Sequence, residues 1–232
     1  GSQGGDGFRL ESDLPPESGV VWFKDRQVIL GVSAYVLCAF MFILLDELFP
    51  MYASARRDVG GLGLSSTQIG LVLSSGGFLS VPYVLLAYPA LTKRVGKVRL
   101  SAVASLIFTI ITFATPLLSY VAFNRALLWS CLVLHSGGRS LTASTIFTST
   151  IILVNNASPP EHLGAVNSMG QALSSLSRAV GPAMGGLLWS AAVRLRGVPC
   201  HQALPFVAVG VVSFAQFLVT RACPETMNRS RK

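Results

Sequence analysis

Residues 28–49 read VILGVSAYVLCAFMFILLDELF, and the rest of the chain is best read outward from them. From Val28 to Leu45 there are 18 residues without a charge, and the first charges to appear are Asp46 and Glu47. A bilayer's hydrocarbon core is about 30 Å thick, which an α-helix crosses in about 20 apolar residues. The stretch therefore predicts a transmembrane helix, and Pro50 follows it. Composition points the same way: 51% of the 232 residues are hydrophobic, only 12% are charged, and the mean hydropathy is +0.59. Soluble domains carry about 25% charge. Here the few charges gather in short segments between long apolar runs, so the chain alternates lipid-facing and water-facing stretches.

Five further spans are predicted downstream, at about 68–91, 100–121, 126–154, 164–193 and 203–220. Ser65, with Gln68 three residues on, has the spacing of a capping box and starts the second helix. The second span tolerates Gly76-Gly77, Pro82 and Pro89 as membrane helices do. The fold class expected is an all-α membrane protein of six transmembrane helices. Residues 1–25, rich in Gly and Ser with Pro15-Pro16 and scattered acids, are expected to be a disordered cytoplasmic linker. Residues 26–221 form the helical bundle and 222–232 a cytoplasmic tail. The start Gly1-Ser2-Gln3, without Met or an apolar leader, reads as that of a fragment.

Basic residues set the expected orientation. Six crossings put both termini on one side, together with Arg9, Lys24, Arg26, Lys93, Arg94, Lys97, Arg99, Arg221, Arg229, Arg231 and Lys232. The other side holds Arg56, Arg57, Arg125, Arg194 and Arg196, so both termini are expected in the cytoplasm. The sequons at Asn156 and Asn228 would then face the cytoplasm and stay unglycosylated. A formal net charge of +8 does not predict nucleic-acid binding, because the Lys and Arg residues fall at helix ends and form no contiguous basic element. The four cysteines are scattered, no His or Cys stands at metal spacing, and no nucleophile elbow, phosphate loop or HExxH occurs. Neither an enzyme nor a metal or other cofactor is expected.

Two arginines fall near the middle of spans. Arg139 follows Gly137-Gly138 in the fourth and Arg178 lies in the fifth. A charge at that depth costs at least about 2.5–3.5 kcal/mol unless it faces a bundle interior or a wet cavity. One reading has them bind an anionic substrate group or pair with a proton-carrying carboxylate. The other has them satisfy backbone carbonyls. In the fifth span Gly170, Ser174, Ser177, Gly181 and Gly185 recur at three- and four-residue steps and form a close-packing face. Gln171, Ser175, Arg178 and Pro182 form a polar stripe about a quarter turn away, suited to lining a cavity. Asp46-Glu47 is the acidic cluster nearest the membrane and reads either as the coupling carboxylate or as part of an outer gate. His135, His162 and His201 read as ordinary polar contacts.

Several of these segments resemble the major facilitator superfamily. The loop Lys93-Arg94-Val95-Gly96-Lys97 is similar to the second-half copy of that family's DRxGRR loop, with Lys93 where the family has Asp. The stretch from Asn155 to Gly186 resembles the eleventh-helix region of the drug:proton-antiporter-like branch. Within it, Ser177 to Gly186, with Gly181, Pro182, Gly185 and Gly186, is similar to the antiporter motif GxxxGPxxGG, Ser177 standing at the first Gly. Asp46-Glu47-Leu48-Phe49-Pro50 is similar to the seventh helix of zinc-induced-facilitator-type members. The resemblance implies the C-terminal half of a transporter, built as two inverted three-helix repeats and completed by an N-terminal six-helix half. It further implies alternating access and secondary transport of a small organic or drug-like solute, coupled to protons, in a plasma or vacuolar-type membrane. The competing expectation is a non-transporting six-span scaffold or receptor derived from such a half. Arg178, Arg139, Gln171, Asp46 and Glu47 are the residues expected along the substrate and coupling pathway.

Overall fold

The computed structural model describes residues 22–195 and 197–231. Most of the expected linker, together with Arg9, Arg196 and Lys232, lies outside the described residues. Among the described residues seven α-helices follow one another: α1 Arg26–Ser54, α2 Ser66–Pro82, α3 Tyr88–Val95, α4 Lys97–Ala114, α5 Arg125–Ala157, α6 Leu163–Arg194 and α7 Leu204–Ala222. A π-helical turn at Tyr83–Ala87 joins α2 to α3 without a break, and a 3-10 segment at Thr115–Val121 extends α4. No strand occurs among the described residues.

Four of these segments, at Arg26–Ser54, Ser66–Val95, Lys97–Val121 and His201–Ala222, are long and apolar enough to cross a membrane. The sequence led us to expect six. The two that fall short, α5 and α6, have 33 and 32 residues and so have the length, but Ser, Thr, Asn, Gly and Arg dilute their apolar character. Several of those polar residues line the candidate site.

Helices α1, α2 and α5 begin at a side-chain cap that their sequence provides. The Asp25 carboxylate accepts the Gln27 amide at 2.8 Å to open α1, and Asn124 Oδ1 accepts the amides of Ala126 and Leu127 to open α5. The Ser65–Gln68 capping box forms in both directions, at 3.3 and 2.9 Å. Helix directions follow from cross-contacts. A Cβ added at Gly31 would meet the Val154 backbone, and Asp46 meets Arg139, so α1 and α5 run antiparallel. Tyr83 bonds Thr145 and Tyr88 bonds Ser149, at 2.6 and 3.0 Å, so the α2–α3 rod runs parallel to α5. Thr109 meets Ser213 at 2.7 Å, while a Cβ at Gly210 would clash with the Phe113 ring, so α4 and α7 run antiparallel. Helix α1 packs on α5, α6 and α7, and α5 packs on α1, α2 and α4.

Within lipid, helices gain little from hydrophobic burial against one another, and close packing with interhelical hydrogen bonds holds them together. The buried core along α1, including Met41, Leu44, Leu45, Leu48, Phe49 and Tyr52, supplies the packing. The hydroxyl pairs named above contribute about 0.6 kcal/mol each.

The segment after α7, expected to be a plain tail, folds back over the helix ends. Met227 is fully buried among Val98, Leu153, Ala157 and Cys223. Asn228 Oδ1 accepts the amides of Lys97 at 2.7 Å and Val98 at 3.1 Å, capping α4 from 131 and 130 residues away. Gly96 has φ +86°, a left-handed conformation that favours glycine, and a Cβ there would lie 3.2 Å from the Asn228 amide nitrogen. Asn156 Nδ2 donates to the Met227 carbonyl at 2.8 Å, so both sequon asparagines are engaged in this seam. Arg231 Nη1 closes it on Asp25 at 2.6 Å.

Burial pushes the Asp25 carboxyl up, but the Arg231 hydrogen bond, the Gln27 amide and the Arg231 charge outweigh it and hold the group below its ordinary value. A depressed carboxylate stabilises the folded seam above the ordinary value of 3.8, and that contribution is lost as pH falls below it. Asp25→Asn keeps an N-cap acceptor while removing the ion pair, which is worth about 1 kcal/mol or less because Arg231 is partly exposed. At pH 7 the variant should raise amide exchange at Thr226–Arg229 up to about fivefold. As pH falls through the lowered folded value of Asp25, variant and wild type should come to exchange alike, and a difference that persists once the carboxyl is protonated would show that the ion pair is not the cause.

Candidate functional site

An ion pair joins α1 to α5. Arg139 Nη1 donates to Asp46 Oδ1 at 2.9 Å, with the arginine side chain 15% exposed and the aspartate 58% exposed. Asp46 comes from the last third of α1 and Arg139 from the middle of α5. Their pairing requires the antiparallel crossing of two helices whose residues are 93 apart in sequence. The counter-charge of Arg139 thus lies within this chain and need not come from another half.

Around the pair is a cavity of about 200 Å³ lined by Phe42, Ser80, Phe108, Ser140, Ala143 and Ser144. Hydroxyls and aromatic faces therefore share its wall. It owes its form to a close approach of α2 and α5, where a Cβ added at Gly76 would fall 2.6 Å from Ser136 Oγ and closer still to Ser140 Oγ. Below the cavity the Arg139 guanidinium lies 6.0 Å from the Phe49 ring centroid. Phe49 stacks on His135 with centroids 5.6 Å apart and planes 14° apart, and His135 Nε2 meets Thr115 Oγ1 at 2.9 Å. His135 Nδ1 has no hydrogen-bond partner among the described residues. A mostly buried cation thus has a carboxylate and an aromatic ring as neighbours, beside a cavity that can admit water or a solute. The sequence reading did not include Phe49 with the site. The signal was available in the spacing, since Phe49 lies three residues after Asp46 and His135 four before Arg139, on the same helical faces.

The other expected residues are placed differently. Glu47 is half-buried and turns toward α6, where a Cβ at Gly185 would come within 3.2 Å of its Cβ. Adjacent acids on α1 thus serve different interfaces, as the roughly 100° step between neighbouring helical positions dictates. Gly181 receives Ile43 so closely that a Cβ would overlap it, while Gly170 faces Tyr35 and Gly186 faces open space. Tyr35 donates its hydroxyl hydrogen to Gln171 Oε1 at 3.1 Å beside a small pocket. Arg178, Ser175 and Pro182 are exposed on α6, and Arg178 has no ion pair among the described residues. The structure does not bring Arg178 and Arg139 into one site. At one end of the bundle, Gly96 and Lys97 meet Asn228 while Lys93 and Arg94 are exposed.

Helices throughout the described residues, four of their segments long and apolar enough to cross a membrane, mark an integral membrane protein. The chain belongs to the MFS_1 like family, whose model matches residues 13–196. It is 28% identical over 209 residues to a probable peptide/nitrate transporter of Arabidopsis thaliana, covering 85% of this chain and 42% of the relative. It is 30% identical over 177 residues to a major facilitator superfamily multidrug transporter of Aspergillus fumigatus, covering 71% and 29%. It is 27% identical over 229 residues to the protein zinc induced facilitator-like 1 of Arabidopsis thaliana, covering 92% and 48%. The chain spans less than half the length of these curated relatives. No solved structure matches it.

Proposed function

We propose that this chain is the C-terminal half of a proton-coupled secondary transporter of small organic solutes, working by alternating access with an N-terminal half. The observation that carries the reading is the Asp46–Arg139 pair at 2.9 Å on the wall of a cavity. A mostly buried guanidinium needs a counter-charge, and a carboxylate that takes up a proton ceases to supply one. Proton arrival would thus free Arg139 for an anionic group of a solute, and proton departure would restore Asp46 as its partner. Relatives named as multidrug transporter and efflux pump support the solute class. Arg178, Gln171 and Glu47 are proposed as later stations on the pathway, a role that the exposure of Arg178 on α6 supports.

In this reading all six rods cross the bilayer, α5 and α6 included, as two inverted three-helix repeats. Both termini are cytoplasmic, a proposal supported by the basic residues at the end where α1 begins and α7 finishes. Cysteines placed at Lys97 and Arg125 of the full-length protein should then label from opposite faces with an impermeant reagent; labelling from one face overturns the topology.

The coupling test is made on the full-length protein in proteoliposomes loaded with a trapped pH dye and challenged with a panel of organic anions and drug-like compounds. At least one solute should move protons in proportion to its own flux. Solute flux that leaves internal pH untouched rejects proton coupling, and a panel without any flux rejects the solute class.

A further inference from the structure

We propose a lipid site on the outer face of the bundle, a groove between α4 and α7 that binds an anionic glycerophospholipid. It is distinct from the Asp46–Arg139 cavity and does not depend on the transport reading.

The groove measures about 760 Å³. Its trough is apolar, walled by Ala102, Val103 and Leu106 of α4 and by Phe217 of α7, with Val103 52% exposed. Its mouth is cationic, with Arg99 two residues into α4 and Arg221 one residue before the end of α7. The two helices run antiparallel, so the start of one and the finish of the other bring both guanidiniums to the same level. That level is the edge of two membrane-length apolar segments, where lipid headgroups lie.

The two arginines are not equivalent. Arg99 donates through Nε to Glu225 Oε1 at 2.7 Å, and Glu225 is itself held by Asn228 Nδ2 at 2.6 Å. That bond orients Arg99 and leaves its terminal nitrogens to donate elsewhere. Arg221 has no carboxylate partner among the described residues and is exposed. Two guanidiniums against one carboxylate leave a net positive mouth above an apolar trough, and a forked guanidinium is suited to the two free oxygens of a phosphodiester. From Arg99 to Leu106 the trough runs about 10 Å along α4, enough to seat the upper part of one acyl chain. A soluble anion would meet the charge and leave the trough unfilled; a neutral lipid would fill the trough and leave the charge unanswered. The complement of both parts is an anionic phospholipid.

The test is native mass spectrometry of the full-length protein, delipidated in detergent and titrated with phosphatidylserine, phosphatidylcholine of the same chains, or soluble glycerophosphoserine. Phosphatidylserine should bind about tenfold more tightly than phosphatidylcholine, a gap set by two cationic contacts at the headgroup. Arg99→Gln combined with Arg221→Gln should erase that preference, whereas Arg194→Gln on α6 should leave it intact. Leu106→Trp keeps both charges and fills the trough, and should weaken binding of both lipids; it also decides the matter should the double variant not fold. Equal affinity for the two lipids, a preference surviving the double substitution, unchanged binding by Leu106→Trp, or glycerophosphoserine binding as well as the intact lipid would each overturn the site.

Discussion

Arg139→Ala in the full-length protein is expected to abolish solute-driven proton movement, and Asp46→Asn to separate the two fluxes. The first substitution removes the cation that an anionic solute group would meet. The second leaves a side chain that accepts hydrogen bonds but cannot cycle a proton, so solute exchange should persist while internal pH stays flat. Loss of fold is the competing explanation, because removing one partner of a buried pair is destabilising by up to about 3–5 kcal/mol, less here because Asp46 is more than half exposed. The charge swap Asp46→Arg with Arg139→Asp separates the two. It rebuilds an ion pair across the same α1–α5 crossing and should recover abundance, yet it puts the carboxylate on the wrong helix and should leave proton-coupled flux below about a hundredth of wild type. Recovery of coupled flux by the swap would reduce the pair to a staple between helices.

Gly181→Leu is expected to give the largest loss of stability. Helices α1 and α6 run parallel, with Tyr35 against Gly170, Ile43 against Gly181 and Glu47 against Gly185. A Cβ at position 181 would stand 3.1 Å from Ile43 Cγ1 and nearer still to Cγ2, before any further leucine atom is added. Overpacking of this kind costs about 1–3 kcal/mol or more, and in a membrane the helices have few other forces with which to absorb it. Gly186→Leu, five positions along on the same helix, meets open space and should leave thermal stability within about 0.5 kcal/mol of wild type. Gly181→Ala should be milder than Gly181→Leu and should be rescued by Ile43→Ala. Thermal unfolding of the four full-length proteins checks the order, and equal damage at 181 and 186 would remove the case for a close-packed α1–α6 face.

These two sites also show how far the sequence could be read. The small-residue stripe on α6 was legible because helical periodicity fixes which residues share a face, and Gly170, Ser174, Gly181 and Gly185 are all buried. What it could not reveal was the partner. Ile43 is one apolar residue in a long apolar run, and only the crossing of two helices makes it the residue that fills the gap. The ion pair was half legible. Asp46, Glu47 and Arg139 stand out in the sequence as charges at unusual depth, but neighbouring acids look alike there and diverge only when the helix turns one toward α5 and the other toward α6. Arg178 stands out in the sequence because it lies on a clean polar stripe beside Pro182. In this structure that stripe is exposed. The seam at 222–231 was illegible for a plainer reason: Met227 and Asn228 stand in a run of polar residues that reads as a tail, and their role depends on groups more than 70 residues away.

The π-helical turn at Tyr83–Ala87 has its own consequence. Tyr83 and Tyr88 are five residues apart, and in a regular α-helix their side chains would diverge by about 140°. They nevertheless bond Thr145 and Ser149, which are four apart on α5. Five steps on one rod are thus matched to four on the other, in the manner of a vernier scale, and the wide turn absorbs the surplus. Both rungs of the hydroxyl ladder stay in phase only while that turn holds its extra residue, so the register of α3 against α5 is set by a single added step in the backbone.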